Sequence, residues 1–371
     1  DRAQAPAPLT PDPSARLPIR HPGRVGCRNV TLTMTSPDTP LRITVIGAGV
    51  VGCYLGGRLA PHADVTLVGR PHVLDPIRAV GLTVESGEGE GDRLHLPAES
   101  LTLAESPESV RRSDVVLVCT KAGSTAAATA EFVPFLRCGS LVVGLQNGLH
   151  SADLIRDAVD VAPVIAGVIP FNVARTGPAT YRRTSTGEIR LAEHPAAAPL
   201  IDVMRRAGLQ VRATDDIQAV LHGKVLLNLN NAVQALSGLP LRTELLDHDL
   251  RRCVAICQLE AIRVFTAAGV VPRVPLAVPA ALLPTIMRLP TPVFRRLATT
   301  VVRVDADGGR AGSRTRSTKP TPMAAASLSR LDRLIFASPP STATIMRRLI
   351  PEASASAAWL RPAACRRRRR L

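Results

Sequence analysis

Aromatic side chains make up only 2% of the 371-residue chain: one Trp, two Tyr and six Phe. Rings therefore cannot dominate its core, which must be built from Leu, Val, Ile and Ala. Hydrophobic residues still reach 46%, and the length allows two domains with a sizeable core. Long apolar runs are missing too. None reaches the ~18–20 residues that span a bilayer. The most apolar late stretch, 274–302, is broken by Pro275, Pro279, Pro284, Pro290 and Pro292. No basic start followed by an apolar block marks a signal peptide. The seven cysteines form no CxxC pair, and no His/Cys cluster has zinc spacing. The expectation is a reducing cytoplasm, no membrane segment and no metal.

Lysine is scarcer still. Of 46 basic side chains only Lys121, Lys224 and Lys319 are lysines. Such a chain uses Arg wherever a generic positive charge will do. Where Lys remains, its compact ammonium, which can lose a proton, is the distinguishing chemistry.

The net charge of +16 points to nucleic acid only until it is located. Residues 303–371 carry +11 of it, ending in the run 366–370, whereas 42–302 carries only +3. A basic tail of this kind reads as a solvated segment rather than a specific nucleic-acid site.

Residues 1–41 are rich in Pro, Arg, Ser and Thr and read as a disordered leader. Met34, eight residues before the first strand, reads as the natural start. From Arg42 the pattern alternates strand and helix. Strands are expected at 42–46, 64–68, 114–119, 140–144 and 164–168, a hairpin over 180–192 around Thr186-Gly187, and a closing strand near 209–212. A helix over 50–60 opens on small residues. From Asp216, the expected N-cap, the texture becomes helical: 217–236 ending near Gly238, 245–268 ending at Gly269, and shorter helices near 280–289 and 292–302. The expected architecture is α/β: a Rossmann doubly wound parallel sheet over 42–212, followed by an all-helical domain over 213–302 that supplies substrate contacts and a surface for a homodimer. Residues 303–371 break that texture abruptly, as a shifted reading frame would.

The glycine loop Gly47-Ala48-Gly49-Val50-Val51-Gly52 follows a strand and opens a helix, the context that gives the motif meaning. Gly47 makes the tight turn, Gly49 admits a pyrophosphate close to the backbone, and Gly52 lets helix and strand approach. Free N–H groups at the helix start then face the phosphates. After the second strand an enzyme using NAD usually places Asp or Glu for the ribose hydroxyls. Here 65–74 holds no acid, and Arg70 can fork onto a 2′-phosphate. NADP is the expected cofactor.

Lys121 ends a strand at the ligand edge of the sheet. Lys224 lies within the expected helix 217–236, with Asn228 at i+4 and Asn231 at i+7 on the same face. Three polar groups on an otherwise apolar helix face are costly unless they meet a ligand or one another.

These motifs, in this order and spacing, resemble the ketopantoate reductases (2-dehydropantoate 2-reductases). The resemblance covers about 41–302. It rests on residues 43–57, Val118-Cys119-Thr120-Lys121, Leu145-Gln146-Asn147-Gly148 and Gly223-Lys224-Val225-Leu226-Leu227-Asn228. It implies NADPH-dependent reduction of ketopantoate to pantoate, on the route to pantothenate and coenzyme A, with a small 2-keto acid as the partner molecule. It also implies that Lys224 is the general acid, that Asn147 contacts cofactor and substrate, that Asn228 holds substrate, and that Lys121 stands beside the nicotinamide. The sequence departs from the family in one respect. The C-terminal helix should carry a glutamate preceded by a serine, yet no Glu stands between Glu260 and Glu352. Asp332 is the one acid where that helix belongs, and Ser313 and Ser317 are the serines at hand. Two alternatives stay open: a non-catalytic NADPH-binding relative, and a different NADP-dependent 2-keto or 3-hydroxy acid dehydrogenase.

Overall fold

The computed structural model describes residues 39–87, 92–275 and 278–297. The expected basic tail with Asp332, and nearly all of the expected leader, lie outside the described residues.

The first half of the chain runs β1 (Arg42–Ile46), α1 (Val50–Leu59), β2 (Asp64–Val68), α2 (Pro71–Val80), β3 (Leu82–Ser86), β4 (Arg93–Leu96), β5 (Thr102–Ala104), β6 (Val115–Val118), α3 (Thr125–Phe132), β7 (Leu141–Gly144) and α4 (Ser151–Ala158). It continues with β8 (Val164–Val168), β9 (Val173–Gly177), β10 (Thr180–Arg183), β11 (Ile189–Ala192), α5 (Ala198–Arg206) and β12 (Val211–Thr214). Helices alone follow: α6 (Ile217–Asn228), α7 (Asn230–Ser237), α8 (Leu241–Leu246), α9 (His248–Ala267), α10 (Leu283–Met287) and α11 (Thr291–Leu297).

The large sheet has the order β12-β11-β8-β7-β6-β1-β2-β5. From β5 to β8 every pairing is parallel, and the strand order reverses between β1 and β6. That is the doubly wound arrangement, with its ligand crevice outside the strand carboxyl ends at the reversal. The parallel strands were legible because both their faces are covered. β6 and β7 are buried at every residue, so they read as continuous β-branched runs.

The expected hairpin over 180–192 does not form. β10 belongs to a second sheet of order β4-β3-β10-β9, whereas β11 joins the large one, antiparallel to β8 and parallel to β12. The real hairpin is β9–β10, turning at Gly177-Pro178-Ala179. Residues 184–188 cross between sheets, and Gly187 presses on Pro170 so closely that a methyl there would sit 2.7 Å from its ring. Burial decides the outcome, since Tyr181 and the pair Ile189 and Leu191 all enter the main core from different sheets.

The long helix expected over 217–236 is two. α6 ends at Asn228 and α7 begins at Asn230. Leu226 and Leu229 bury against Phe265 and Leu283, while Val233 buries with Leu250 and Val254 in a separate cluster. One straight helix would not serve both. The helix expected from 245 starts instead at His248, because Asp247 accepts N–H bonds from Asp249 and Leu250 at 2.9 and 3.0 Å and so caps it. Asp216 caps α6 through the Ala219 N–H at 3.0 Å, and Gly238 and Gly269 end α7 and α9 with φ of 66° and 71°. No described helix is long and apolar enough to cross a membrane.

Candidate functional site

The site is built on loops at the carboxyl edge of the large sheet. After β1, Gly47 turns with φ 97°, and a methyl on it would meet Thr120 at 2.9 Å. The N–H groups of Gly47 and Ala48 both bond the Val68 carbonyl, at 3.0 and 2.8 Å, so the loop is tied to the end of β2. Gly52 abuts the Gly47 carbonyl, where a side chain would reach 2.2 Å. Gly49 differs from both: a methyl there would meet no described atom within 4 Å. It lies exposed at the start of α1, whose first turn carries no acid. Val50 and Val51 follow as its first residues, so their N–H groups open toward the same space. The turn thus offers a bare backbone concavity with helix N–H groups, the requirement for a pyrophosphate.

Arg70 is exposed and immediately precedes α2. Gly69 beside it is a residue sequence reasoning missed. A Cβ there would come within 2.5 Å of the Ala48 methyl, so its absence lets the β2 loop lie against the glycine turn and sets Arg70 beside it. Lys121 does not end the strand as expected: β6 stops at Val118, and Lys121 is exposed on the loop after it, next to the Thr120 that contacts Gly47. Asn147 is exposed on the loop after β7.

Lys224 comes from the other side. The first half of α6 packs on the sheet, with Ile217, Val220 and Leu221 against Leu149, Ala152, Ala166 and Val168. Its second half packs on the helices, with Leu226 against Phe265 and Leu283. Lys224 stands at that seam, half-buried, and its Nζ donates to the carbonyl of Ile169, the residue after β8. Burial among these apolar neighbours lowers its pKa from 10.5 to about 8, because the charged form is the one disfavoured. The cluster that Leu221 shares with Leu149 also brings α6 against the loop that carries Asn147. Gly223 is the second residue missed: a Cβ on it would sit 1.9 Å from the Arg273 carbonyl. The segment 272–274 therefore lies directly across α6 at this point, and only glycine permits it.

Asn228 shares α6 with Lys224 and is half-buried. Asn231 does not complete the stripe. It lies beyond the break at Leu229, on α7, and is exposed. Among the described residues no group of three or more His, Cys, Asp or Glu could hold a metal.

Residues 43–196 match the family described as Ketopantoate reductase PanE/ApbA. The chain is 31% identical over 206 residues to the 2-dehydropantoate 2-reductase of Halobacterium salinarum, which covers 53% of this chain and 66% of that enzyme, just under two thirds. It is 28% identical over 267 residues to that of Mesorhizobium japonicum, covering 64% of this chain and 79% of that enzyme. The crystal structure of a PanE/ApbA family ketopantoate reductase from Ralstonia eutropha JMP134 superimposes with a TM-score of 0.59 at 27% identity, covering 78% of this chain and 98% of that one. Together with the strand order, the glycine loop and the seam lysine, these likenesses make the chain similar in sequence and in fold to the ketopantoate reductases.

Proposed function

We propose that the chain reduces ketopantoate, or a closely similar branched 2-keto acid, to the 2-hydroxy acid with NADPH. The observation that carries this reading is the position of Lys224: a half-buried amine at the seam of sheet and helices, held at the carboxyl edge of β8. Gly47, Ala48, Gly49, Val50, Val51 and Gly52 would hold the pyrophosphate, Arg70 the 2′-phosphate, and Lys121 and Asn147 the nicotinamide end. Bound NADPH supplies the hydride. As negative charge develops on the keto oxygen, the Lys224 ammonium stabilises it and gives up a proton from Nζ. Asn228 and Asn147 orient the substrate through neutral amides that add no competing charge. Asn231, exposed on the next helix, is left as a contact at the outer end of the substrate.

The second reading is an NADPH-binding relative without turnover, favoured by the absence of any Glu from 261 to 351. Two measurements on the full chain separate the readings: NADPH binding by fluorescence, and loss of NADPH absorbance on adding ketopantoate. Turnover in the ordinary range of ~1–10³ s⁻¹ establishes the reductase. Tight binding without turnover establishes the relative, and absence of NADPH binding overturns both.

A further inference from the structure

The carboxyl edge carries one buried side chain that the reaction scheme does not use. Gln146 is 7% exposed and lies between Leu145 and Asn147. The backbone ladder between β6 and β7 ends just before it, with the Leu145 N–H on the Val118 carbonyl at 3.0 Å. Beyond that bond the chains part into two loops, one bearing Lys121 and the other Asn147. The Gln146 amide spans the gap. Its Nε2 donates to Thr125 Oγ1 at 3.2 Å and to Thr120 Oγ1 at 3.4 Å. Thr125 is fully buried at the start of α3, and the Thr120 methyl lies against Gly47. One side chain therefore joins the loop after β7 to both ends of the loop after β6 and, through Thr120, to the glycine turn.

Resting on the functional reading above, we propose that Gln146 is a positioning residue. It locks the loops of Lys121 and Asn147 in register, so that both meet one cofactor molecule without rearrangement. Two long hydrogen bonds add little to global stability. Their effect is geometric, since small misplacements of a site cost far more in rate than in folding.

The test uses Gln146→Leu, Thr125→Val, the double variant and Gln146→Glu in the full chain. Thr125→Val removes the acceptor and keeps the shape, so it carries the test alone if Gln146→Leu does not fold. The carboxylate of Gln146→Glu can accept from both threonine hydroxyls and should restore the link. Amide hydrogen exchange is read over 119–125 and 145–151, together with NADPH affinity, kcat and KM. Exchange should quicken in both loops in each single variant. NADPH affinity should weaken about five- to tenfold and kcat/KM fall about ten- to a hundredfold, with the double variant no worse than the worse single one. Gln146→Glu should recover most of the exchange protection. Unchanged exchange in both loops, or additive losses in the double variant, would overturn the proposal. If the native chain binds no NADPH, the functional reading fails, and the exchange data alone decide the link between the loops.

Discussion

At Lys224 two demands meet on one atom. In the proposed reaction the amine is charged to stabilise a developing oxyanion, yet its surroundings disfavour charge and lower its pKa to about 8. A group with that pKa is still largely protonated near neutrality and gives up its proton readily, which suits a general acid. Lys224→Ala should lower kcat by ~10²–10⁴ and leave NADPH affinity nearly unchanged, because the glycine turn and Arg70 lie on other elements. In the native chain kcat should fall as pH rises through about 8, since only the protonated form can donate. A flat profile from pH 6 to 10 would assign the proton to another group. Arg70 is tested separately. It is exposed beside the glycine turn, so Arg70→Ala should reduce the preference for NADPH over NADH about ten- to a hundredfold, the range for a lost charge-assisted bond. Equal affinity for the two cofactors in the native protein would remove Arg70 from the cofactor site.

Among the elements, α9 carries an unusual anchor. Arg251 is fully buried and donates to the carbonyls of Leu245, Met287 and Leu289 at 2.8, 3.1 and 2.8 Å. Its guanidinium also lies 4.3 Å from the centre of the Phe294 ring. One side chain thus satisfies carbonyls at the ends of α8 and α10 and holds α11 against them. Arg251→Met should destabilise the fold by about 2–4 kcal/mol, as buried acceptors are left without a donor. Arg251→Lys should recover only part of this, for lack of the planar fork; urea unfolding measures both. This anchor was invisible in the sequence, where Arg251 is one arginine among many. The elements that were legible had a local cause: the buried parallel strands were continuous β-branched runs, and the caps at Asp216, Gly238 and Gly269 followed from backbone requirements. The second sheet was not legible, because β4 and β9 are short, half-exposed and interrupted by charged residues such as Arg93 and Arg175. The break at Leu229 was hidden for another reason. Periodicity continues through it, and only the separate burial of Val233 turns the chain. In the candidate site, the glycine loop, Lys121, Asn147, Lys224 and Asn228 all stood out as motifs. Gln146 and Gly223 stood inside those motifs without a role, and Gly69 outside them, because their roles depend on contacts with distant segments.

Across the molecule as a whole, two buried groups oppose the usual dependence of stability on pH. Glu244 is fully buried, with neither carboxylate oxygen hydrogen-bonded among the described residues, and burial raises its pKa from 4.5 to about 7. Its folded form binds a proton that the unfolded form has already released, so its contribution is complete below about pH 4.5 and lost as pH rises through about 7. Lys224 acts in the opposite direction. Its folded pKa of about 8 lies below the ordinary 10.5, so its contribution is complete above about pH 10.5 and lost as pH falls through about 8. Between pH 7 and 8 both groups are charged in the fold, and both costs are present together. Each shift corresponds to at most about 3.5 kcal/mol. Asp92 and Asp114 have lowered pKa values, held down against the opposing effect of burial by Ser86 and Arg58 and by Arg42, so they withdraw stability only in acid, as pH falls through their folded pKa. The urea midpoint should therefore be higher at pH 5.5 than at pH 7.5, where many proteins are near their best; above about pH 9 the gain from Lys224 is opposed by the thiols of Cys53 and Cys119, whose pKa values burial raises to about 11 and about 12. Glu244→Gln should raise the midpoint at pH 7.5 and abolish the decline between pH 5.5 and 7.5. Lys224→Met should raise the midpoint over that of the native chain by more at pH 7.5 than at pH 9.5. If the native midpoint instead peaks near pH 7.5 and neither variant moves it, these two side chains have found partners or water in solution, and the lowered pKa of Lys224 loses its support as well.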